Sequence, residues 1–167
     1  IINGQWQKQK SEGNSRVTKQ PRGFFGVGVY SPRTSENIGT LWRSALNFGA
    51  SFMFTIGARC GFQDQPSNTS QSHRQIPLYV YPTFKDFINV LPHGAFLIGI
   101  EQYEKSTTLE SFTHPARAIY LLGSEDNGIP EEIWPFCTGG IVSIDTPMCL
   151  NVATAGSIVM YDRHLKQ

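Results

Sequence analysis

The chain is poor in cysteine, poor in charge and free of long apolar runs. It holds Cys60, Cys137 and Cys149 and no other cysteine. None of them forms a C-x-x-C pair, and none has a histidine at metal-ligand spacing. That argues against a structural zinc and against a disulfide framework, so we expect no metal. An odd, scattered set suits a reducing compartment, and the expected location is cytoplasmic. No stretch approaches the ~20 apolar residues of a membrane helix, so no membrane partner is expected. Charged residues make up 16% of the chain and hydrophobic ones 40%, as in an ordinary globular protein. At 167 residues there is enough chain for one domain with a real core.

What charge there is lies unevenly. Residues 1–22 carry Lys8, Lys10, Arg16, Lys19 and Arg22 against Glu12 alone, under a net charge of +1 for the whole chain. This stretch has no helical or strand period and reads as a flexible basic arm ahead of a domain spanning 23–167. Such an arm suits nucleic acid; a simply solvated tail fits it equally well.

From Gly23 onward, short apolar runs alternate with amphipathic segments. Strands are expected at Phe24–Tyr30, Ser51–Gly57, Pro77–Tyr81, Gly94–Ile100, Arg117–Leu122 and Gly140–Ile144. A helix from about Asn37 to Phe48 is capped by Ser35 and closed by Gly49. A second follows Thr83, with Asp86 completing a capping box, and runs to Leu91. One helical turn is expected at Thr107–Phe112, and a short helix after Pro130 runs to Phe136. A last helix spans about Asn151–Leu165. The fold class is therefore α/β: a mostly parallel six-stranded sheet with helices on both faces. Gly26 and Gly28 lie inside a strand and no third glycine opens the next helix, so they are not a dinucleotide fingerprint. Residues 59–75 form a long polar loop, read either as a substrate-facing lid or as a variable surface loop.

Ligands of open α/β sheets sit beyond the carboxyl ends of the strands. Two strand ends here break into polar loops: Gly123-Ser124-Glu125-Asp126-Asn127-Gly128, and Asp145-Thr146-Pro147-Met148-Cys149 just before Asn151. These two loops are the expected site.

Three stretches together resemble a known family. They are Asn37-Ile38-Gly39-Thr40-Leu41-Trp42-Arg43, Leu121 through Pro130, and Asp145 through Tyr161 around Met148-Cys149-Leu150-Asn151. In this order, at strand ends and a helix start, they resemble the SpoU/TrmH branch of the SPOUT RNA methyltransferases. The resemblance implies a deep trefoil knot at the C-terminal end and an S-adenosylmethionine site made by the knot loops. It also implies a homodimer and methylation of a ribose 2′-hydroxyl in tRNA or rRNA. Carried onto this chain, it makes Arg43, Asn37, Asn151 and Glu125 the catalytic set. Ile100, Gly123, Ile144, Met148, Cys149 and Leu150 are expected around the cofactor. Arg33, Arg59 and Arg74 are expected to face RNA. A general-base role has been suggested for the family's arginine; a guanidinium stays protonated, so Arg43 is better suited to hold a phosphate and polarise the 2′-oxygen. Asn37 and Asn151 either orient groups at the site or cap helices. Glu125 either orders its loop by accepting hydrogen bonds or pairs with Arg43. Cys149 stands where the family usually has serine, which leaves a catalytically silent RNA- or cofactor-binding protein as the alternative. Val152, Ala153, Ala155, Ile158 and Val159 are the expected dimer seam.

Overall fold

The computed structural model describes residues 23–61 and 75–167. The expected arm at 1–22, Arg74 and most of the long polar loop lie outside the described residues.

Chain order is β1 (Phe24–Tyr30), α1 (Ser35–Asn47), β2 (Phe52–Ile56), β3 (Leu78–Tyr81), α2 (Phe84–Asn89), β4 (Phe96–Ile100), β5 (Thr107–Thr108), β6 (Arg117–Leu122), β7 (Ile141–Ser143) and α3 (Val152–Lys166). The strands form one seven-stranded sheet in the order β3-β2-β1-β6-β4-β7-β5. Every pairing in it is parallel. The expected six strands become seven because Thr107 and Thr108 pair with Val142 and Ser143 instead of opening a helical turn. Two β-branched residues are too few to show a period of two, so only the pairing reveals them. The turn is delayed to a 3-10 segment, Leu109–Ser111.

Alternation along the strands sorts the core into two layers. Phe25, Val27 and Val29 of β1, with Ala118, Tyr120 and Leu122 of β6, face Ile38, Leu41 and Ala45 of α1 and Val159 and Met160 of α3. Ile119 and Leu121 face the other way, onto Phe87 of α2 and Ile133 of the 3-10 segment Glu131–Phe136. Helical segments therefore cover both faces, as buried parallel strands require. On that second face β1 carries Gly26 and Gly28, where a Cβ would come within 2.5 Å of the Phe52 and Phe54 rings. The glycines of this strand make room for aromatic side chains from β2.

Helix ends follow the expected chemistry with one exception. Thr83 and Asp86 form a complete capping box on α2. Gly49, at φ 77°, takes the left-handed position just past α1. The N-cap of α1 is Thr34, not Ser35, and its side chain caps nothing. Its hydroxyl donates to Glu125 instead (3.1 Å).

α3 turns its apolar residues inward. Val152, Ala153 and Val159 are buried in the core, and Ala155 and Ile158 pack against it, so the expected dimer seam is already used within the chain. The exposed apolar residues of this helix are Tyr161 and Leu165.

At the amino-terminal end of the sheet a buried polar network ties α3 to the start of β6. His114 Nε2 lies 2.8 Å from Asp162 and Nδ1 lies 2.5 Å from the Tyr120 hydroxyl. Arg163 donates to that hydroxyl (3.1 Å) and to the carbonyls of Pro115 and Ala116. One tautomer satisfies all of this: His114 donates to Asp162 and accepts from Tyr120.

Candidate active site

Among the described residues the sheet begins with β1, moves outward to β2 and β3, and then crosses to the far side of β1. Beside β1 now lies β6, so the strand order reverses between these two strands. That reversal opens a crevice at their carboxyl ends. Loops 31–34, 123–130 and 144–151 meet there.

Glu125, the third residue past β6, gathers the first of these loops. Its carboxylate accepts from the Arg33 backbone N–H (3.1 Å), the Thr34 hydroxyl (3.1 Å) and Asn37 Nδ2 (2.8 Å). Asn37 Oδ1 in turn accepts from Asn151 Nδ2 (2.9 Å). Asn151 Oδ1 accepts from the N–H groups of Ala153 and Thr154 at the start of α3 (2.9 and 3.3 Å). The orientation of both amides follows. Helix N–H groups demand the carbonyl of Asn151, which leaves its NH2 for Asn37, which leaves the Asn37 NH2 for the carboxylate. The result is a one-directional relay from the positive end of α3 to Glu125.

Burial pushes the Glu125 carboxyl up, but the hydrogen bonds from Asn37, Arg33 and Thr34 outweigh it, and the net shift is down. Glu125 is thus an ionised orienting group with its acceptors already engaged, not an acid. Of the two capping alternatives, Asn151 caps α3 and Asn37 does not cap α1. Asn37 sits in the first turn of α1. Arg43 is exposed on the same helix, about 9 Å further along the axis at the usual rise per residue.

Beside this relay lie two adjoining clefts. The larger holds about 330 Å³ between Ile100, Glu101, Leu122, Gly123, Ser124 through Gly128, Cys149, Leu150, Val152 and Ala155. The smaller, about 80 Å³, is walled by Ile100, Ile144, Cys149 and Leu150 with Glu101, Gln102 and Thr146. Five of the expected cofactor residues therefore converge: Ile100, Gly123, Ile144, Cys149 and Leu150. Met148 does not join them. It is 79% exposed and lines neither cleft, because the loop turns its side chain outward while its carbonyl accepts from Thr146 Oγ1 (2.9 Å).

The end of β4 contributes two residues, Glu101 and Gln102, that no sequence motif singles out. Glu101 accepts from Ile129 N–H (2.8 Å) in the loop after β6. Gln102 Nε2 donates to Thr146 Oγ1 (3.0 Å) and to the carbonyls of Ile144 and Thr146 in the loop after β7. One strand end thus holds both cleft-forming loops. Their place at the carboxyl end of a central strand was the available signal.

The loop after β6 is closed on itself. Ser124 and Gly128 exchange backbone hydrogen bonds (3.1 Å each) in an antiparallel bridge. At Gly123 a Cβ would meet the backbone of Gly128 and Ile129, so only glycine fits where the loop folds back. Arg59, expected to face RNA, is instead engaged with Asp126 of this loop (2.9 and 2.7 Å). Arg33 is exposed, its guanidinium 3.7 Å from Asp126.

Known proteins share this architecture. The AdoMet-bound rRNA methyltransferase structure from Sinorhizobium meliloti is 23% identical, with a TM-score of 0.76 over 87% of this chain and 57% of that one. The SpoU methyltransferase AviRb from Streptomyces viridochromogenes, in complex with AdoMet, is 22% identical, with a TM-score of 0.75 over 92% of this chain and 64% of that one. Among curated proteins, mouse tRNA (guanosine(18)-2′-O)-methyltransferase TARBP1 is 28% identical over 137 residues, which is 75% of this chain and 8% of that protein. The family model of the SpoU rRNA Methylase family matches residues 25–161, nearly the whole described domain, and the chain belongs to that family.

Proposed function

We propose that this domain transfers a methyl group from S-adenosylmethionine to a ribose 2′-hydroxyl of tRNA or rRNA. The observation that carries the reading is the relay Glu125–Asn37–Asn151 on the rim of a cleft at the strand-order reversal. The cleft has the size of a small-molecule site, with apolar and polar residues on its walls. Ile100, Gly123, Ile144, Cys149 and Leu150 would hold the cofactor. When bound, S-adenosylmethionine supplies the electrophilic methyl group.

The chain's own residues do the positioning. Asn37 and Asn151 fix the mouths of α1 and α3 relative to Glu125. Arg43 holds the phosphate beside the target ribose and polarises the 2′-oxygen, whose proton passes to that phosphate as the methyl group arrives. Orientation of this kind supplies up to ~7–11 kcal/mol of a displacement barrier. RNA is met by this rim, by Arg33 and, in our reading, by Arg74 and the basic arm 1–22. We further read the C-terminal loops as a trefoil knot and the working unit as a homodimer. Gln102, which clamps the 144–146 loop against β4, supports the first, and the exposed Tyr161 and Leu165 support the second. Three free thiols fit a reducing compartment such as the cytoplasm.

The test is transfer of a labelled methyl group from S-adenosylmethionine to separated tRNA and rRNA pools. Label recovered as a nucleoside whose phosphodiester resists alkali identifies a 2′-O-methyl. Arg43→Ala should abolish it. Cofactor binding by calorimetry with no label in either pool would refute the enzyme and favour a silent binder. Cys149 lines both clefts and is the residue that motivates that second reading.

A further inference from the structure

Arg59 begins the segment after β2, yet its side chain reaches across two other strand ends. Nη1 and Nη2 grip the two oxygens of Asp126 side by side (2.9 and 2.7 Å). Nε and Nη2 also donate to the Ser31 carbonyl (3.1 and 2.9 Å), and the Arg59 backbone N–H donates to the Pro32 carbonyl (3.0 Å). Four of the five N–H donors of a guanidinium are spent in this way. Ser31 has φ 48°, a left-handed conformation that no other non-glycine among the described residues adopts. Such a conformation persists where neighbours over-determine it, and here the carbonyl of that residue is held twice by one side chain.

Asp126 is the neighbour of Glu125. The Ser124–Gly128 bridge closes the base of their loop. Arg59 fixes its tip to the β1 and β2 ends, and the carboxylate of Glu125 then meets Arg33, Thr34 and Asn37.

We propose that Arg59 is a positioning residue, whose paired grip on Asp126 and Ser31 sets the loop that presents Glu125 to Asn37. It is not an RNA contact. The pair is partly exposed, with side chains 40% and 30% accessible. Exposed pairs add little to global stability, so its effect is geometric. A lysine cannot substitute, because it lacks the planar fork that spans two oxygens and a carbonyl together.

The consequence for catalysis rests on the methyl-transfer reading; the consequence for the loop does not. The experiment therefore reads both, on the full chain, in Arg59→Ala, Arg59→Lys, Asp126→Asn and the Arg59→Ala/Asp126→Asn double variant. Amide hydrogen exchange at Asn127 and Gly128, both bonded to Ser124, should rise about tenfold in each variant while the melting temperature stays near that of the parent. kcat should fall about 10–100-fold with KM for RNA little changed, as for a misplaced catalytic group. The double variant should be no worse than either single one, since both remove the same contact. The slope of RNA affinity against salt should stay as in the parent. A phosphate-binding Arg59 would instead lose about one unit of that slope on mutation to alanine. That result overturns the proposal, as does parental exchange at Asn127 and Gly128 or full activity in Arg59→Lys. Should the parent transfer no methyl at all, the exchange and salt arms still decide the case.

Discussion

Asn151 serves two partners, and two substitutions separate them. Its carbonyl caps α3 and its NH2 holds Asn37. Asn151→Ala removes both. Loss of an N-cap costs about 1 kcal/mol, and the lost side-chain bond costs up to ~1 kcal/mol because Asn37 is only partly buried and water replaces its donor. The sum of about 1–2 kcal/mol lowers the melting temperature by roughly 2–8 °C for a chain of this size. Asn151→Asp keeps the cap, since aspartate caps as well as asparagine and suits the helix dipole. It also sets a carboxylate against Asn37 Oδ1. Rotating the Asn37 amide does not help, for its carbonyl then faces Glu125. No orientation satisfies both neighbours, so the relay breaks while the fold stands. Melting followed by circular dichroism should place Asn151→Asp within about a degree or two of the parent. Initial rates of methyl transfer should fall about 10–100-fold. Parental kcat in Asn151→Asp would refute a role for the relay in turnover. A parental melting temperature in Asn151→Ala would refute the cap.

Two further outcomes follow from other parts of the molecule. Gly123→Ala drives a methyl group into the Gly128–Ile129 backbone; we expect a loss of about 1–3 kcal/mol in urea unfolding and loss of S-adenosylmethionine binding by calorimetry. Burial holds the His114 imidazole below the ordinary histidine range despite Asp162, amid Tyr120, Arg163 and Lys166. The unfolded chain therefore binds the extra proton first, and stability falls as pH drops below about 6.5 toward the folded value. Melting curves between pH 7 and 5 should show this decline, and it should flatten in His114→Gln.

Continuous apolar runs located β1 and β6 to the residue, because both strands are buried on two faces. β5 escaped notice because two threonines carry no period; only their pairing with β7 makes them a strand. The strand-end rule and the three motifs brought together Asn37, Glu125 and Asn151, residues far apart in the chain. The same local logic misplaced the cap of α1, since the partner of Thr34 is a carboxylate ninety-one positions away. It misread Met148, whose orientation depends on how Thr146 folds the loop. It also offered Val152, Ala153 and Val159 as an interface, when α1 and the sheet already cover them. The Arg59–Asp126 pair joins loops from different strands and has no local sequence signature.

The placement of β6 beside β1 has a temporal consequence. Phe24 pairs with Arg117, so the inner edge of β1 has no neighbour until that distant segment emerges. At ribosomal rates of about 5–20 residues per second, this wait lasts roughly 5–20 seconds. Meanwhile Phe25, Val27 and Val29 lie on a strand with an open side, the condition in which nascent chains pair with one another. Non-local parallel pairing of this kind is also slow to form once the segments are present. Asn151 comes later still, so the relay is among the last features of this domain to form during synthesis, and a chain broken off before it carries Asn37 without its partners.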